Sequence, residues 1–286
     1  MVPWTLVLVA VFAAALLLGR AWRPSWAGRA VEACILAVVA SVGFWGGEVA
    51  ARVGVGGILF RALAYTVLIA VCTVGLGVFF GLHAEAAGGA SGRLRLDILA
   101  SLAAGGAAGW LLGGVSERLV ALVVEAEVTA LLFFVGLSCC HGSGLGEAAS
   151  SLRLAGEGVA VSLAGGVAAG VLGAYLMGCD LKTSLLYTLG MGWYSFAGPY
   201  AAVVAGGGVG VSVFLANLLR EQVVYIAVPL LKRPLVGLLA LGGATSMDNT
   251  LPVYVAVYGE EVAPAAVLQG LVLTLLVPPM LGLLTA

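Results

Sequence analysis

Charge is what this chain has least of. Lysine, arginine, aspartate and glutamate together make up 9% of its 286 residues, where a soluble domain carries roughly 25%. That shortage excludes an ordinary water-exposed surface. Net charge is −1, so no basic face marks a nucleic-acid partner. The five cysteines, Cys34, Cys72, Cys139, Cys140 and Cys179, show no paired short spacing of the kind that holds zinc. Cys139-Cys140-His141 reads as packing residues at a helix end, and His83 and His141 read as loop residues. There is no phosphate-binding glycine loop and no Ser-His-Asp set, and Gly206-Gly207-Gly208 reads as a connector. Chemistry on a covalent bond is not expected, nor is a metal or an organic cofactor.

What remains is apolar. Hydrophobic residues are 62% of the chain and glycines number 43. Runs of about 20 apolar residues span a bilayer, and small residues let membrane helices approach closely. Candidate spans are 4–19, 30–47, 60–82, 97–114, 119–139 and 159–177, followed by an irregular 185–204, a charged 209–231, a broken 235–252 and a final 262–284. The first run has no charge before it and is followed by Arg20 and Arg23, so it reads as a retained span and not a cleaved leader. The fold class is an all-α polytopic membrane protein with about 8–10 transmembrane segments and two broken or re-entrant elements in the C-terminal half. A single transporter domain, 1–286, divides into an N-terminal half, 1–180, and a C-terminal half, 181–286, that carries the site. The location is the plasma membrane.

Basic residues in short loops set orientation. Arg20, Arg23 and Arg29, then Arg93 and Arg95, then Arg153 mark the cytoplasmic loops and place the N-terminus outside. Lys232 and Arg233 join them only if 185–204 enters and returns. Eight full spans with two re-entrant stretches is therefore the favoured topology, and ten spans with two discontinuous helices the alternative.

Polar residues inside such runs are costly and point to function. Glu221 sits in mid-span, with Asn217 one turn before it and Tyr225 one turn after. Their stripe suits a wet, ligand-facing cavity. The plainer reading pairs Glu221 with an arginine to fix helix packing, while Arg220 points about 100° away and reaches another partner. Asp248 lies in Gly242-Gly-Ala-Thr245-Ser246-Met-Asp248-Asn249-Thr-Leu-Pro252, where an opened backbone binds ions or small charged solutes; its plainer role is an N-cap. Trp193, Tyr194 and Ser195, bracketed by Gly190, Gly192, Gly198 and Pro199, read as a site wall whose rings suit a cationic ligand, or as an interfacial belt. Glu125 and Glu127 lie on different faces of one helix and read either as solvated residues or as a proton relay.

Gly192-Trp-Tyr-Ser195, Arg220-Glu221, Gly243-Ala-Thr-Ser-Met-Asp248 and Thr250-Leu-Pro252 resemble the LysO-type lysine exporters of prokaryotic inner membranes, with a weaker echo in Leu132-Phe-Phe-Val-Gly136. The N-terminal half matches in hydropathy and length alone. The resemblance implies export of L-lysine and its analogue thialysine coupled to protons, with the important membrane carboxylates at Glu221 and Asp248. The family often carries Asn-Asp four to five residues before this glutamate; here Ala216-Asn217 stands there, one charge fewer. A sodium-coupled carrier of another small organic solute is the alternative. The expected partners are lysine or a related cationic amino acid and the lipid bilayer, and a homodimer is allowed for.

Overall fold

In the computed structural model the described residues are 4–22, 24, 26–80, 96–138, 148–247 and 249–285. All regular structure among them is helical: α1 (Trp4–Ala21), α2 (Ala27–Val53), α3 (Gly56–Gly77), α4 (Leu96–Leu112), α5 (Glu117–Ser138), α6 (Ala148–Met177), α7 (Leu181–Thr188), α8 (Tyr194–Ala205), α9 (Gly207–Leu231), α10 (Leu235–Gly242), α11 (Leu251–Tyr258) and α12 (Ala263–Thr285). His83, Cys139, Cys140, His141 and Asp248 fall outside the described residues.

Five segments are long and apolar enough to cross a bilayer: Ala27–Glu48, Gly56–Gly77, Ser151–Met177, Gly207–Leu231 and Ala263–Thr285. Their outward faces are apolar too. Phe60, Leu63, Val67 and Val71 on α3 and Val171, Leu172, Tyr175 and Leu176 on α6 are all exposed. Such stripes suit lipid, where a soluble protein would carry charge. The chain is a multi-pass membrane protein.

Small residues bring the N-terminal helices together. A Cβ on Gly109 would stand 1.9 Å from Phe44 O, and one on Gly105 2.1 Å from Ala40 O. A Cβ on Gly47 would reach Gly106 O at 2.0 Å. Gly105 and Gly109 meet Ala40 and Phe44 in the same order along both helices, so α2 and α4 run parallel with their backbones in touch. That closeness gains dispersion contact where the hydrophobic effect gives helices no reason to associate.

The C-terminal half is built differently, because two helices stop in mid-course. α7 follows its N-cap Asp180, whose side chain accepts from Thr183 N at 2.8 Å. Hydrogen bonds from the Thr183 hydroxyl and backbone hold this exposed carboxyl below its usual range. The helix ends at Thr188, and the chain turns through Met191, at φ 51, and Gly192, at φ 84, before α8 begins. Tyr200 on α8 then donates to Leu281 O, while Lys182 at the start of α7 donates to Thr285 O. Both ends of this element thus meet the last turn of α12.

α10 behaves likewise. It stops at Gly242, passes through a 3-10 segment, Gly243–Met247, and resumes as α11. Tyr254 donates to Leu238 O and Tyr258 to Lys232 O, so α11 runs back beside the start of α10. The start of α10 lies at the far end of α3, where Gly237 backbone fits against Gly77.

Candidate functional site

The two interruptions meet. Ala244 N donates to Met191 O at 2.8 Å, joining the backbone of one break to that of the other. Gly243, at φ +62, allows this approach, since a Cβ there would lie 2.1 Å from Met191 O. A side chain would be strained by that φ and blocked by that oxygen. Met191, in the left-handed region without being glycine, carries backbone strain that its fixed surroundings must hold.

Each break frees backbone groups that a dry interior must satisfy, and α9 supplies their partners. The Asn217 side chain is fully buried. Its Oδ1 accepts from Gly192 N at 2.9 Å, while its Nδ2 donates to Tyr187 O at 3.1 Å and Val213 O at 3.0 Å. One turn on, the fully buried Arg220 serves the second break. Its Nε donates to Leu241 O and its Nη2 to Ala240 O, each at 2.7 Å, and Nη1 faces Met191 Sδ at 3.9 Å. These carbonyls end α10, where the helix dipole is negative and a cation is favoured. Asn217, expected to face a ligand, is bonded here to backbone, and Arg220 pairs with carbonyls where the plainer reading of Glu221 had an arginine.

Glu221 is fully buried, about 21 Å along a helix of about 38 Å. Its Oε2 accepts from Asn249 Nδ2 at 3.2 Å and its Oε1 from Gln222 Nε2 at 3.5 Å. Asn249 Nδ2 also lies 3.4 Å from Tyr194 Oη, and Tyr225 donates to Asn249 O at 2.6 Å. Residues from α8, α9 and the second break therefore converge on one carboxylate: Tyr194, Glu221, Tyr225 and Asn249. Asp248 precedes Asn249 in the chain and lies outside the described residues.

The other candidates stand apart from that cluster. Trp193 packs its ring on Phe196, centroids 5.0 Å apart, and is half-buried, while Ser195 is buried in the first turn of α8. Thr245 donates to Gly242 O, and Ser246 to Gly243 O and Ala266 O, so both hydroxyls brace the second break. Glu127 accepts from Ser41 on α2 at 3.0 Å, and Glu125 lines an open cavity of about 600 Å³ along α5.

Two buried polar residues were passed over in the sequence. Glu48 accepts from Gly114 N at 3.0 Å and is 4% exposed; it stands one residue beyond the apolar run 30–47, where hydropathy gives no sign of burial. Gln269 on α12 donates to Leu239 O at 2.7 Å and is fully buried. An amide inside the last apolar run was the signal that would have found it.

An all-α, multi-pass membrane protein whose one fully buried carboxylate among the described residues sits where two interrupted helices meet is the class that fold and site define. The chain belongs to the lysine exporter LysO family, whose pattern matches residues 99–285 and so takes in both interruptions and α9. It is 33% identical over 164 residues to the lysine exporter LysO of Escherichia coli K12, a match covering 57% of this chain and 54% of that protein. It is 29% identical over 155 residues to a Haemophilus influenzae Rd protein named "Putative lysine exporter", covering 53% of this chain and 77% of that one. The matched stretch thus spans about half the length of the E. coli relative. No solved structure matches the chain.

Proposed function

We propose that this protein exports L-lysine, and close analogues such as thialysine, by exchange for protons. The observation that carries the reading is the Glu221 carboxylate, held in mid-span between two helix interruptions and shared through Asn249 with Tyr194. A lysine zwitterion with its side-chain ammonium carries net positive charge, and a buried carboxylate compensates it in a low-dielectric path. Proton and ammonium compete for the same oxygens, so each displaces the other, and that reciprocity is antiport. Asp248 is the second proposed carboxylate. Glu125 and Glu127 are two further acids of the described helices on which a proton route would draw.

We read both interrupted elements as re-entrant hairpins that enter from opposite faces and meet at their tips. Tyr200 and Lys182 at one end, and Tyr258 and Lys232 at the other, support this. Eight full spans then remain. Lys232 and Arg233 share an end with Arg153 at the start of α6, and that end is cytoplasmic by the basic-loop rule.

The test is lysine flux in proteoliposomes under an imposed pH gradient. Flux driven by the gradient is expected, with Glu221→Gln and Asp248→Asn each reducing it to background while the protein still melts cooperatively. Flux that ignores pH and follows sodium would replace this reading with a sodium-coupled carrier.

A further inference from the structure

Glu125 and Glu127 are two residues apart on α5 and face different surroundings. Glu127 meets Ser41 on α2. The Glu125 carboxylate has no hydrogen bond or ion pair among the described residues, and it lines the open cavity of about 600 Å³ together with Ala126, Thr129, Ala130, Phe133 and Phe134. It stands about 12 Å along a helix of about 33 Å, roughly a third of the way in. A carboxylate there is costly unless water or a cation reaches it. The Thr129 hydroxyl spends its proton on Glu125 O, which leaves the hydroxyl oxygen as an acceptor.

The aromatic side chains continue from this point. Phe133 and Phe134 lie edge to face with centroids 5.5 Å apart, Phe134 and Trp26 follow at 5.8 Å, and Trp26 and Trp22 at 5.8 Å. Trp26 is 40% exposed and Trp22 56%. A ladder of rings therefore runs from the surface of the α1–α2 connection to the cavity that holds the unpaired acid. Aromatic faces attract ammonium groups, and a carboxylate with a hydroxyl acceptor one turn away binds one by charge-assisted hydrogen bonds.

We infer that this cavity is a second binding site for a cationic amino acid, an antechamber in which Glu125 receives the side-chain ammonium and Phe133 and Phe134, about 12 Å further along α5, flank the α-ammonium end of the extended molecule. The inference rests on the proposed lysine transport. It adds a site in the N-terminal half, apart from Glu221, and gives the ladder from Trp22 the role of a route in.

Equilibrium dialysis of labelled L-lysine against the purified full chain in lipid nanodiscs tests it. Glu221→Gln should retain one bound lysine per chain, and adding Glu125→Gln to that variant should weaken the remaining binding by at least about tenfold. Phe133→Leu in the same background should weaken it by about threefold or more. Norleucine, which lacks the ammonium, should not compete. Equal binding by Glu221→Gln and by the double variant, with both eluting as monodisperse particles, overturns the second site and leaves lysine transport standing. Absence of lysine binding by the unsubstituted protein overturns both. If the double variant does not fold, Glu125→Asp in the Glu221→Gln background replaces it: a shorter acid that leaves lysine affinity and site number unchanged, together with an unaffected Phe133→Leu, overturns the site.

Discussion

Between α2 and α4 the backbones touch because nothing stands between them, and where the two interruptions meet they touch because polar side chains on α9 hold them there. In the first region every main-chain group is bonded inside its own helix, so contact needs only the absence of Cβ atoms at Gly47, Gly105 and Gly109. In the second, the helices have been opened, and Asn217 and Arg220 must supply bonds that the helices gave up. The first arrangement is tolerant of chemistry and intolerant of volume. The second is the reverse. The two breaks also differ from each other. At the first, Asn217 meets both a free N–H and a free C=O, which an amide does with its two ends. At the second, Arg220 meets two carbonyls, which calls for a fork of donors.

The comparison breaks most severely at Arg220. Arg220→Ala takes the guanidinium from Leu241 O, at about 1–3 kcal/mol, and leaves Ala240 O with the Ser162 hydroxyl as its side-chain donor. Low yield and a broad thermal transition in detergent are expected, with Arg220→Lys falling between because a lysine cannot match both carbonyls as a planar fork does. Asn217→Ala should cost nearly as much by the same measurement, since Gly192 N and Tyr187 O both lose their partner. Asn217→Asp should recover only the Gly192 bond. In the other region, Gly109→Ala should lower stability by about 1–3 kcal/mol through the Cβ that meets Phe44 O. Its lysine flux per folded molecule should stay close to the unsubstituted value, which separates volume from chemistry. The smallest change is Tyr225→Phe, which removes one hydrogen bond to Asn249 O, worth about 1 kcal/mol. A modest rise in the lysine concentration for half-maximal flux, with a melting temperature lowered by only about 2–4 °C, is its expected result.

Much of this architecture can be read from the residues in order. Apolar runs locate the long helices because a bilayer demands about 20 such residues at a stretch. The interruptions show as glycines within those runs, and the structure stops α7 just before Gly190 and α10 at Gly242. The polar stripe on α9 is also plain, since Asn217, Arg220 and Glu221 interrupt an apolar helix. Which of these faces what is not local information. Arg220 finds carbonyls twenty residues away, and Asn217 finds one thirty residues back. Helical spacing separates the two side chains but does not say which break lies on which side. The meeting of the interruptions is hidden for the same reason: Met191 and Ala244 are joined through main-chain atoms, which leave no mark on residue type. Glycine at 243 is the one trace of that contact.

The bond from Ala244 N to Met191 O has a mechanical consequence. It ties the tips of two elements that are anchored at opposite ends of the bundle, near Lys182 and near Lys232. A displacement of one tip either drags the other along or strands an amide and a carbonyl in a setting without water, at several kcal/mol. The two elements are geared. In the exchange proposed above, closing one side of the molecule and opening the other would then be a single stroke, timed by a contact that no side chain makes.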